Sequence, residues 1–578
     1  MPELIVGIDL GTTNSAIACL RDGAPQIIPI DGQSTMPSCV GISPAGDLLV
    51  GQPALNQLVA APGSTVTSIK RKMGQDLKIS LGEKEFSPEE ISALILRELK
   101  TKAEASLGQP VTKAVITVPA FFDESQRQAT KNAGVLAGLD VVRIINEPTA
   151  AALAYEAGQQ GDERLLVYDL GGGTFDVSAV VVESGVVEVK SSHCDTHLGG
   201  DDFDALLVAH AVESFQDQHG IDLAADPGTS RRLQVALERA KRQLSDEPFT
   251  TIDEEYIHGD HHLQLEISRS DYEDMIAPLL EKTLTCISET LDDAGIVSSA
   301  IDKVMLVGGS TRTPMVHQLL RDRMHADPRF EVDPDLIVAL GAAIQGGIIA
   351  GEKCRSILVD ITPHTFGTDT IDDLGFMPQI IYVPLIKRNT PLPASRSEAF
   401  LTLHDNQKTV LVKAFQGESP IPAENVFLGE FTVDGLSRVP AGNTIVINFS
   451  LDLNGMLQVT ATEKDTGLAK SVTLDTRDTR HQLDMDAARS NLLALTGEPT
   501  HPEISPGDDP DDHDDLLATA KNLKSRAQAL LETGIDPDDA SEIRALLDSA
   551  TNAISQGDMA SLSESNDALS DLVFYLED

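Results

Sequence analysis

Two short segments that follow one pattern constrain this chain more than any other feature. Residues 5–13 read IVGIDLGTT and residues 166–174 read LVYDLGGGT, so each joins an apolar run to Asp-Leu-Gly and then to Thr. A second strand-like run follows each segment, at residues 15–20 and 175–182. Glycine-rich hairpin tips fit this pattern, whereas a P-loop or a Rossmann turn would open a helix. The duplication therefore predicts two related lobes that face one another.

The residue types at the two tips favour phosphate binding. Glycine lets the backbone approach closely and offer N–H groups to phosphate oxygens, and threonine adds hydroxyl donors. Asp9 and Asp169 would repel phosphate unless a cation lay between, which implies Mg²⁺ bound directly or through water. One glycine turn usually only closes a hairpin, but two matching copies with matching acids make that interpretation poor. A third glycine segment, Gly308–Arg312, ends another buried strand and is a candidate for the nucleoside end.

The charge of the chain excludes several kinds of partner. Its 578 residues hold 44 Lys and Arg against 90 Asp and Glu, a formal net charge of −46. Nucleic acid and an anionic membrane are therefore not expected as partners. No apolar run is long enough to span a membrane, and the first residues lack the basic start of a secretory signal. Five scattered cysteines without a CxxC pair argue against disulfides or zinc and favour the cytoplasm.

Composition divides the chain into several regions. Residues 1–354 alternate buried-type strands with helical runs, which predicts an α/β domain. Residues 361–475 predict an all-β sandwich, joined through the apolar linker 355–360, which we expect to dock. Residues 476–515 predict an acidic, flexible connector, and residues 516–578 predict a short helical lid.

Five motifs occur in one order along the chain. They are GIDLGTTNS at 7–15, IINEPTAAALAY at 144–155, VYDLGGGTFDVS at 167–178, HLGGDDFD at 197–204 and VGGSTRTP at 307–314. With them the chain resembles the 70-kilodalton heat-shock chaperone family of the DnaK type, from residue 4 to about residue 475. The shortened architecture is most similar to the HscC-type subgroup. The resemblance implies an actin-like, two-lobed α/β ATPase domain, a β-sandwich that binds peptides and an α-helical lid.

The resemblance implies roles for residues of an ATP site. Asp9 and Asp169 would organise Mg²⁺, while the hydrolytic group would be Lys70, Glu147, Asp169, Thr174 and Asp176. Phosphates would contact Gly11, Thr12, Thr13, Gly171, Gly172, Gly173, Thr174 and Gly200. The adenosine pocket would comprise Glu238, Lys241, Arg242, Ser245, Gly308, Gly309, Ser310, Arg312 and Asp335. Helical spacing independently places residues 238, 241, 242 and 245 on one face.

The resemblance also implies a peptide clamp and a relay between the domains. The clamp residues would be Phe366, Ile371, Phe400, Leu403, Val410 and Val412, although sandwich core is an equally good interpretation of Phe400 and Val412. Pro119, Arg127, Arg143 and Asp360 would couple the clamp to the ATP site. His364 and Thr368 depart from the family, which usually has aliphatic residues there.

The implied function is that of an ATP-dependent chaperone for apolar segments of unfolded proteins in a bacterial cytoplasm. Its ligands would be ATP or ADP and Mg²⁺, with K⁺ left open, and hydrolysis would be slow unless a J-domain co-chaperone and substrate stimulate it. The need for a nucleotide-exchange factor stays open. The alternatives are an ATP-binding regulator or exchange-type member with little hydrolysis and a small-molecule kinase of the same fold.

Overall fold

The computed structural model describes most of the chain. It covers residues 3–82, 84–157, 161–324, 328–330, 332–352, 357–372, 379–473 and 483–497, with six isolated positions between 524 and 549. The chain forms two compact units, Met1–Thr500 and His501–Asp578. Linker residues 355 and 356 and, apart from the six isolated positions, the predicted lid at 516–578 lie outside the described residues.

The first lobe is built on a six-stranded sheet in the order β11-β10-β1-β2-β3, with β4 paired to β2. Strands β1 and β10 are parallel and buried, which explains their continuous apolar sequences. The elements are β1 (Ile5–Asp9), β2 (Asn14–Arg21), β3 (Ala24–Ile27), β4 (Met36–Pro37), β5 (Val40–Ile42), β6 (Leu48–Val50), α1 (Gln52–Gln57), β7 (Thr65–Val66), β8 (Ile79–Leu81), β9 (Lys84–Phe86), α2 (Pro88–Leu107), β10 (Lys113–Val118), α3 (Glu124–Leu136), β11 (Asp140–Asn146) and α4 (Glu147–Glu156).

The second lobe is built on a five-stranded sheet in the order β17-β12-β13-β14-β18. Helices α5, α6 and α7 pack their apolar faces into one core with the strands. The elements are β12 (Glu163–Leu170), β13 (Phe175–Glu183), β14 (Val186–Asp195), α5 (Gly200–His219), α6 (Pro227–Asp246), β15 (Phe249–His258), β16 (His261–Ser268), α7 (Arg269–Ala294), β17 (Lys303–Val307), α8 (Pro314–Met324), α9 (Ile337–Ile349) and β18 (Ile357–Val359).

The two lobes repeat one arrangement, as the duplicated motif predicts. In the first, β1 and β2 form a hairpin in which Asp9 pairs with Ala16, and β10 runs parallel to β1. In the second, β12 and β13 form a hairpin in which Asp169 pairs with Asp176, and β17 runs parallel to β12. The expectation that both motifs are hairpin tips is confirmed.

Helices α4 and α9 pack against each other between the lobes, within a core that draws on both. Their backbones approach so closely that a Cβ on Gly341 would lie 1.7 Å from the carbonyl oxygen of Ala150. Only glycine fits at such a contact. The other small residues of the two helices let their backbones approach this closely.

The linker and the β domain follow. Strand β18 lies within the linker and pairs in parallel with β14, Val186 opposite Ile357, which confirms that the linker docks. Two four-stranded sheets, β21-β20-β24-β25 and β23-β26-β27-β28, then enclose one core, as expected of a sandwich. The strands are β19 (Ile361–Thr362), β20 (Phe366–Asp372), β21 (Gln379–Ile386), β22 (Thr390–Pro391), β23 (Ala394–Leu401), β24 (Thr409–Gln416), β25 (Val426–Asp434), β26 (Thr444–Leu451), β27 (Leu457–Glu463) and β28 (Ala469–Thr473).

The prediction of a flexible connector over residues 476–515 is wrong for its central part. Helix α10 (Met485–Thr496) begins at the capping side chain of Asp484 and ends at Gly497. Its Ala488 and Leu492 are buried in the core of the first lobe. The acidic and Pro-rich composition obscured a helix whose stability comes from this packing.

Replacing Gly341 by alanine should destabilise the ATPase region by about 2–3 kcal/mol, because the new methyl group would overlap a backbone oxygen. Chemical denaturation with a far-ultraviolet circular dichroism readout measures the loss. Gly63→Ala is the matched control, since a Cβ there meets no atom within 4 Å. Equal stability of the two variants would contradict the described crossing of α4 and α9.

Candidate active site

A cavity of about 580 Å³ lies between the two hairpin tips. It gathers residues that are far apart in the sequence and belong to both lobes. The predicted site residues that line it are Asp9, Gly11, Thr12, Thr13, Lys70, Glu147, Asp169, Gly171, Gly172, Thr174, Gly200, Glu238, Lys241, Arg242, Ser245, Gly308, Gly309, Ser310, Arg312 and Asp335. Gly173 and Asp176 are not among the lining residues. Gly173 packs beside Arg71, and Asp176 is buried on β13.

Four carboxylates converge at the inner end of this cavity. Asp9 ends β1, Asp169 lies on β12, Asp176 faces it on β13, and Glu147 begins α4. Burial and the nearby charge of Glu147 raise the pKa of Asp9 to about 7 and that of Asp176 to about 8. The same causes raise the pKa of Asp169 well above its usual value. Full ionisation would therefore place more negative charge in the cluster than the protein compensates, so these acids take up protons readily unless a cation binds.

Lys70 is the cation within this cluster. It lies in a 3₁₀ turn after β7, is buried, and forms an ion pair with Glu147. Burial alone would lower the pKa of Lys70, but Glu147 and Asp9 together raise it above its usual value. One ammonium group is left to balance four carboxylates.

The donor set fits a hard divalent cation. Carboxylate oxygens are the ligands that Mg²⁺ prefers, and Asp9 and Asp169 face the cavity from opposite lobes. Within the described ranges, no group of three or more His, Cys, Asp and Glu side chains is placed to hold a metal ion by itself. A cation here would need water or phosphate oxygens to complete its coordination.

The phosphate-facing loops are held in place by bonds between them. The Ser310 hydroxyl donates to the Gly171 carbonyl at 2.8 Å, and Lys241 Nζ donates to the Gly200 carbonyl at 2.9 Å. Gly308 has a φ of 82°, and a Cβ there would lie 2.5 Å from the carbonyl oxygen of Leu170. Glycine is thus required where the third segment turns toward the second hairpin tip.

The outer end of the cavity is bounded by α6 and by the loop after β17. All four residues predicted to share a face of α6 line the cavity. Opposite them, Arg312 donates to Asp333 at 3.0 Å and to Asp335 at 2.9 Å, and its guanidinium lies 5.8 Å from the ring centre of Phe330. A flat, charged and aromatic wall of this kind suits a nucleoside.

The predicted relay residues lie where the ATPase domain meets the β domain. Arg127 donates to the carbonyls of Phe122 and Ala120 and, at 2.7 Å, to the amide oxygen of Asn146. Asn146 donates in turn to both carboxylate oxygens of Asp360. Pro119 is buried immediately before this loop, and half-buried Arg143 feels the charge of Asp360. All four relay residues are therefore brought into one region.

The predicted clamp residues divide into three groups. Ile371 and Leu403 are 44% and 45% exposed, and Phe400 and Val410 are partly buried against the sandwich core. Phe366 and Val412 lie inside that core, at 3% and 1% exposure. Both side chains pack between the sheets, which favours the sandwich-core interpretation that was open for Val412, and the role of these two residues in peptide contact stays a prediction.

The Hsp70 protein family model matches residues 5–81 and 75–574, which is most of the chain. The chain belongs to the Hsp70 family. Hsp70 proteins are ATPases and chaperones that bind ATP or ADP with Mg²⁺, unfolded substrates and J-domain co-chaperones. In the described part of this Hsp70, no helix is long and apolar enough to cross a membrane.

Sequence reasoning missed the contacts that join the lobes of this Hsp70 above the phosphate loops. Arg71 lies 3.2 Å from Asp202 and 3.7 Å from Asp201, and the Ser68 hydroxyl donates to Asp201 at 2.9 Å. The sequence did contain a hint of this contact, since Arg71 follows the predicted catalytic Lys70 and both acids belong to the HLGGDDFD motif. Only the closed arrangement of the lobes shows that these segments meet.

Arg71→Ala should speed ADP dissociation roughly threefold, because it removes a half-buried ion pair worth on the order of 0.2–1 kcal/mol. Stopped-flow fluorescence with a labelled ADP measures the rate. Lys72→Ala removes the same charge from an exposed neighbouring position and should leave the rate unchanged. If both variants behaved alike, the contact between the lobes would not hold the nucleotide.

Proposed function

We propose that this Hsp70 is an ATP-dependent chaperone in which ATP binding and hydrolysis switch the affinity of the β domain for apolar peptide segments. The observation that carries the proposal is the convergence of both hairpin tips, Lys70 and the carboxylates of Asp9, Glu147 and Asp169 in one cavity, with Asp176 buried opposite Asp169. The β domain contacts the loop that adjoins this cluster, which supports a direct link between hydrolysis and peptide binding.

The two hairpin tips would hold the phosphates through Thr12, Thr13 and the Gly171–Thr174 segment. Asp9 and Asp169 would hold Mg²⁺, which neutralises phosphate charge when bound. Because the surrounding groups are already fixed by hydrogen bonds and ion pairs, little reorganisation is needed when the phosphates enter.

Lys70 would place the attacking water and stabilise charge on the terminal phosphate. Its ion pair with Glu147 fixes the ammonium group, and Thr174 and Asp176 would complete the surroundings of the reaction. Catalysis of this kind relies on positioning and electrostatics. We therefore expect slow turnover that a J-domain partner and substrate accelerate.

Exposed apolar side chains of the β domain would bind the peptide. Ile371 and Leu403 are the predicted ones, and Ile380, at 63% exposure, pairs with Ile371 across the sheet. An extended peptide beside such residues would gain main-chain hydrogen bonds and apolar contacts. Broad selectivity for short apolar segments follows.

The proposal also covers the subgroup of the family and the cellular compartment. The short span between Lys70 and Pro119 favours the HscC-type subgroup and leaves the use of an exchange factor open. The scattered cysteines, of which the four described ones are free thiols, favour a reducing compartment such as the cytoplasm.

Lys70→Ala should reduce steady-state ATP turnover by about a hundredfold or more while ATP binding persists, because only the reaction needs the ammonium group. Phosphate release and isothermal titration calorimetry measure the two properties. Lys72→Ala is the control for loss of charge, and a thermal melt checks folding. Normal turnover in Lys70→Ala would rule out the assigned site.

Val410→Phe should weaken binding of an apolar fluorescent peptide at least about tenfold and spare basal ATPase, because Val410 is a predicted clamp residue and the larger ring would occupy the space of a peptide side chain. Fluorescence anisotropy measures the affinity. Leu411→Phe is the matched control, since adjacent strand residues face opposite sides of the sheet. Equal affinity of the wild type and both variants would argue against the proposed clamp.

One comparison separates this function from a small-molecule kinase. ADP formation is measured with an unfolded polypeptide and a J-domain protein, and separately with a panel of sugars and small acids. We expect stimulation only by the polypeptide and the J-domain protein. Stimulation by one small molecule alone would replace the chaperone proposal by the kinase.

A further inference from the structure

Two histidines from distant parts of the chain meet on the surface of the second lobe. His219 is the last residue of α5, and His261 is the first residue of β16. The centres of their imidazole rings are 4.8 Å apart, and the ring planes are inclined at 50°. This histidine pair therefore joins the end of a helix to a hairpin that begins only after the whole of α6.

The backbone on both sides of the histidine pair is well defined. Gly220 follows His219 directly and caps α5 in the left-handed conformation, with a φ of 70°. In the hairpin, His261 pairs with His258 across a two-residue turn that starts at Gly259. The φ of Gly259 is 57°, as expected for the first position of such a turn. Neither imidazole is therefore carried by a long loop.

A buried phenyl ring supports the histidine pair. Phe215 lies one turn before His219 on the same face of α5 and is 1% exposed. The centre of its ring is 4.4 Å from that of His219 and 6.4 Å from that of His261, which it meets edge to face at 89°. Contact with a fixed ring limits the directions in which the two imidazoles can turn, so the pair is largely preorganised.

The ring nitrogens of the pair are free of other protein groups. Both histidines are exposed, and in the part of the chain that the structure describes neither imidazole forms a hydrogen bond or an ion pair. The neighbouring His262 differs, because its Nδ1 accepts from the backbone N–H of Tyr256 at 3.1 Å. Neutral imidazole is the commonest protein ligand for transition metals. The nitrogens of His219 and His261 are available for that role.

The distance between the rings matches that of two imidazoles that share one metal ion. A zinc–nitrogen bond is about 2.0–2.1 Å long, so an ion bound at square or tetrahedral angles sets the two ring centres about 4.5–5.3 Å apart. The observed 4.8 Å lies within this range. Ring packing alone also occurs at such distances, and the experiment below distinguishes the two explanations.

We propose that His219 and His261 form a binding site for a divalent transition metal ion of the Zn²⁺, Ni²⁺ and Cu²⁺ class, which ties the end of α5 to the β15–β16 hairpin. Two nitrogen ligands suit these ions, whereas Mg²⁺ prefers oxygen. Within the described residues no third His, Cys, Asp or Glu side chain is placed to join the pair, so water completes the coordination. The inference does not depend on the proposed function, because none of these residues lines the ATP cavity.

The test titrates the full chain with NiCl₂ and follows the heat of binding by isothermal titration calorimetry. Saturating Mg²⁺ and ADP are present throughout, which keeps the probe ion from the carboxylate cluster. We expect the wild type to bind one Ni²⁺ that His219→Ala and His261→Ala each bind at least about tenfold more weakly. Loss of one of two direct ligands should cost at least as much as loss of a group that only orients a ligand.

His262→Ala is the matched control, since it removes an adjacent exposed histidine from the opposite face of the hairpin. It should bind Ni²⁺ as the wild type does. Thermal melts give a second measurement. Ni²⁺ should raise the melting temperature of the wild type and of His262→Ala more than that of the two site variants, because an ion that binds only the folded chain stabilises it. Similar melting of all four proteins in EDTA checks that they fold.

Three results would overturn the site. Equal affinity for Ni²⁺ in all four proteins would show that the two rings only pack against each other. Weaker binding in just one of the two site variants would show that the imidazoles do not share an ion. Equal weakening in His262→Ala would show that any exposed histidine of this hairpin contributes, without a built pair.

Discussion

The burial of several carboxylates around one lysine is the constraint on which the rest of this structure depends. Asp9, Asp169, Asp176 and Glu147 each come from a different element, and Lys70 balances only part of their charge. Such an arrangement persists only if every backbone segment that carries an acid is held rigidly. The two hairpins, the start of α4 and the crossing of α4 with α9 provide that rigidity.

The same cluster gives the β domain a way to sense the active site. Asp176 meets the Ala120–Phe122 loop, which His364 contacts from the sandwich. Arg127 and Asn146 join this loop to Asp360 at the end of the linker. Every link is a hydrogen bond to a buried or half-buried group, so breaking one would leave an unsatisfied polar atom. A structural change near the phosphates can therefore reach β20 through a few hydrogen-bonded residues.

Much of the fold and site could be predicted because the informative residues are local in sequence. The duplicated motif indicated two hairpins, and the 3.6-residue spacing on α6 placed four side chains on one wall of the cavity. Other features depend on contacts that no local pattern records. Arg71 meets acids of the other lobe, α10 is stabilised by packing on the first lobe, and Phe366 is withdrawn into the core.

By itself, the sequence determined the lobes, the sandwich, the phosphate-binding turns and the acids that imply a cation, because glycine, charge and hydrophobic period act over a few residues. Only the tertiary structure decided which acids share one buried site and how far their pKa values rise. It also decided that the linker adds a strand beside Val186 and that His364 reaches Phe121. These outcomes depend on distance and burial between segments remote in the chain, and neither quantity is encoded by local spacing.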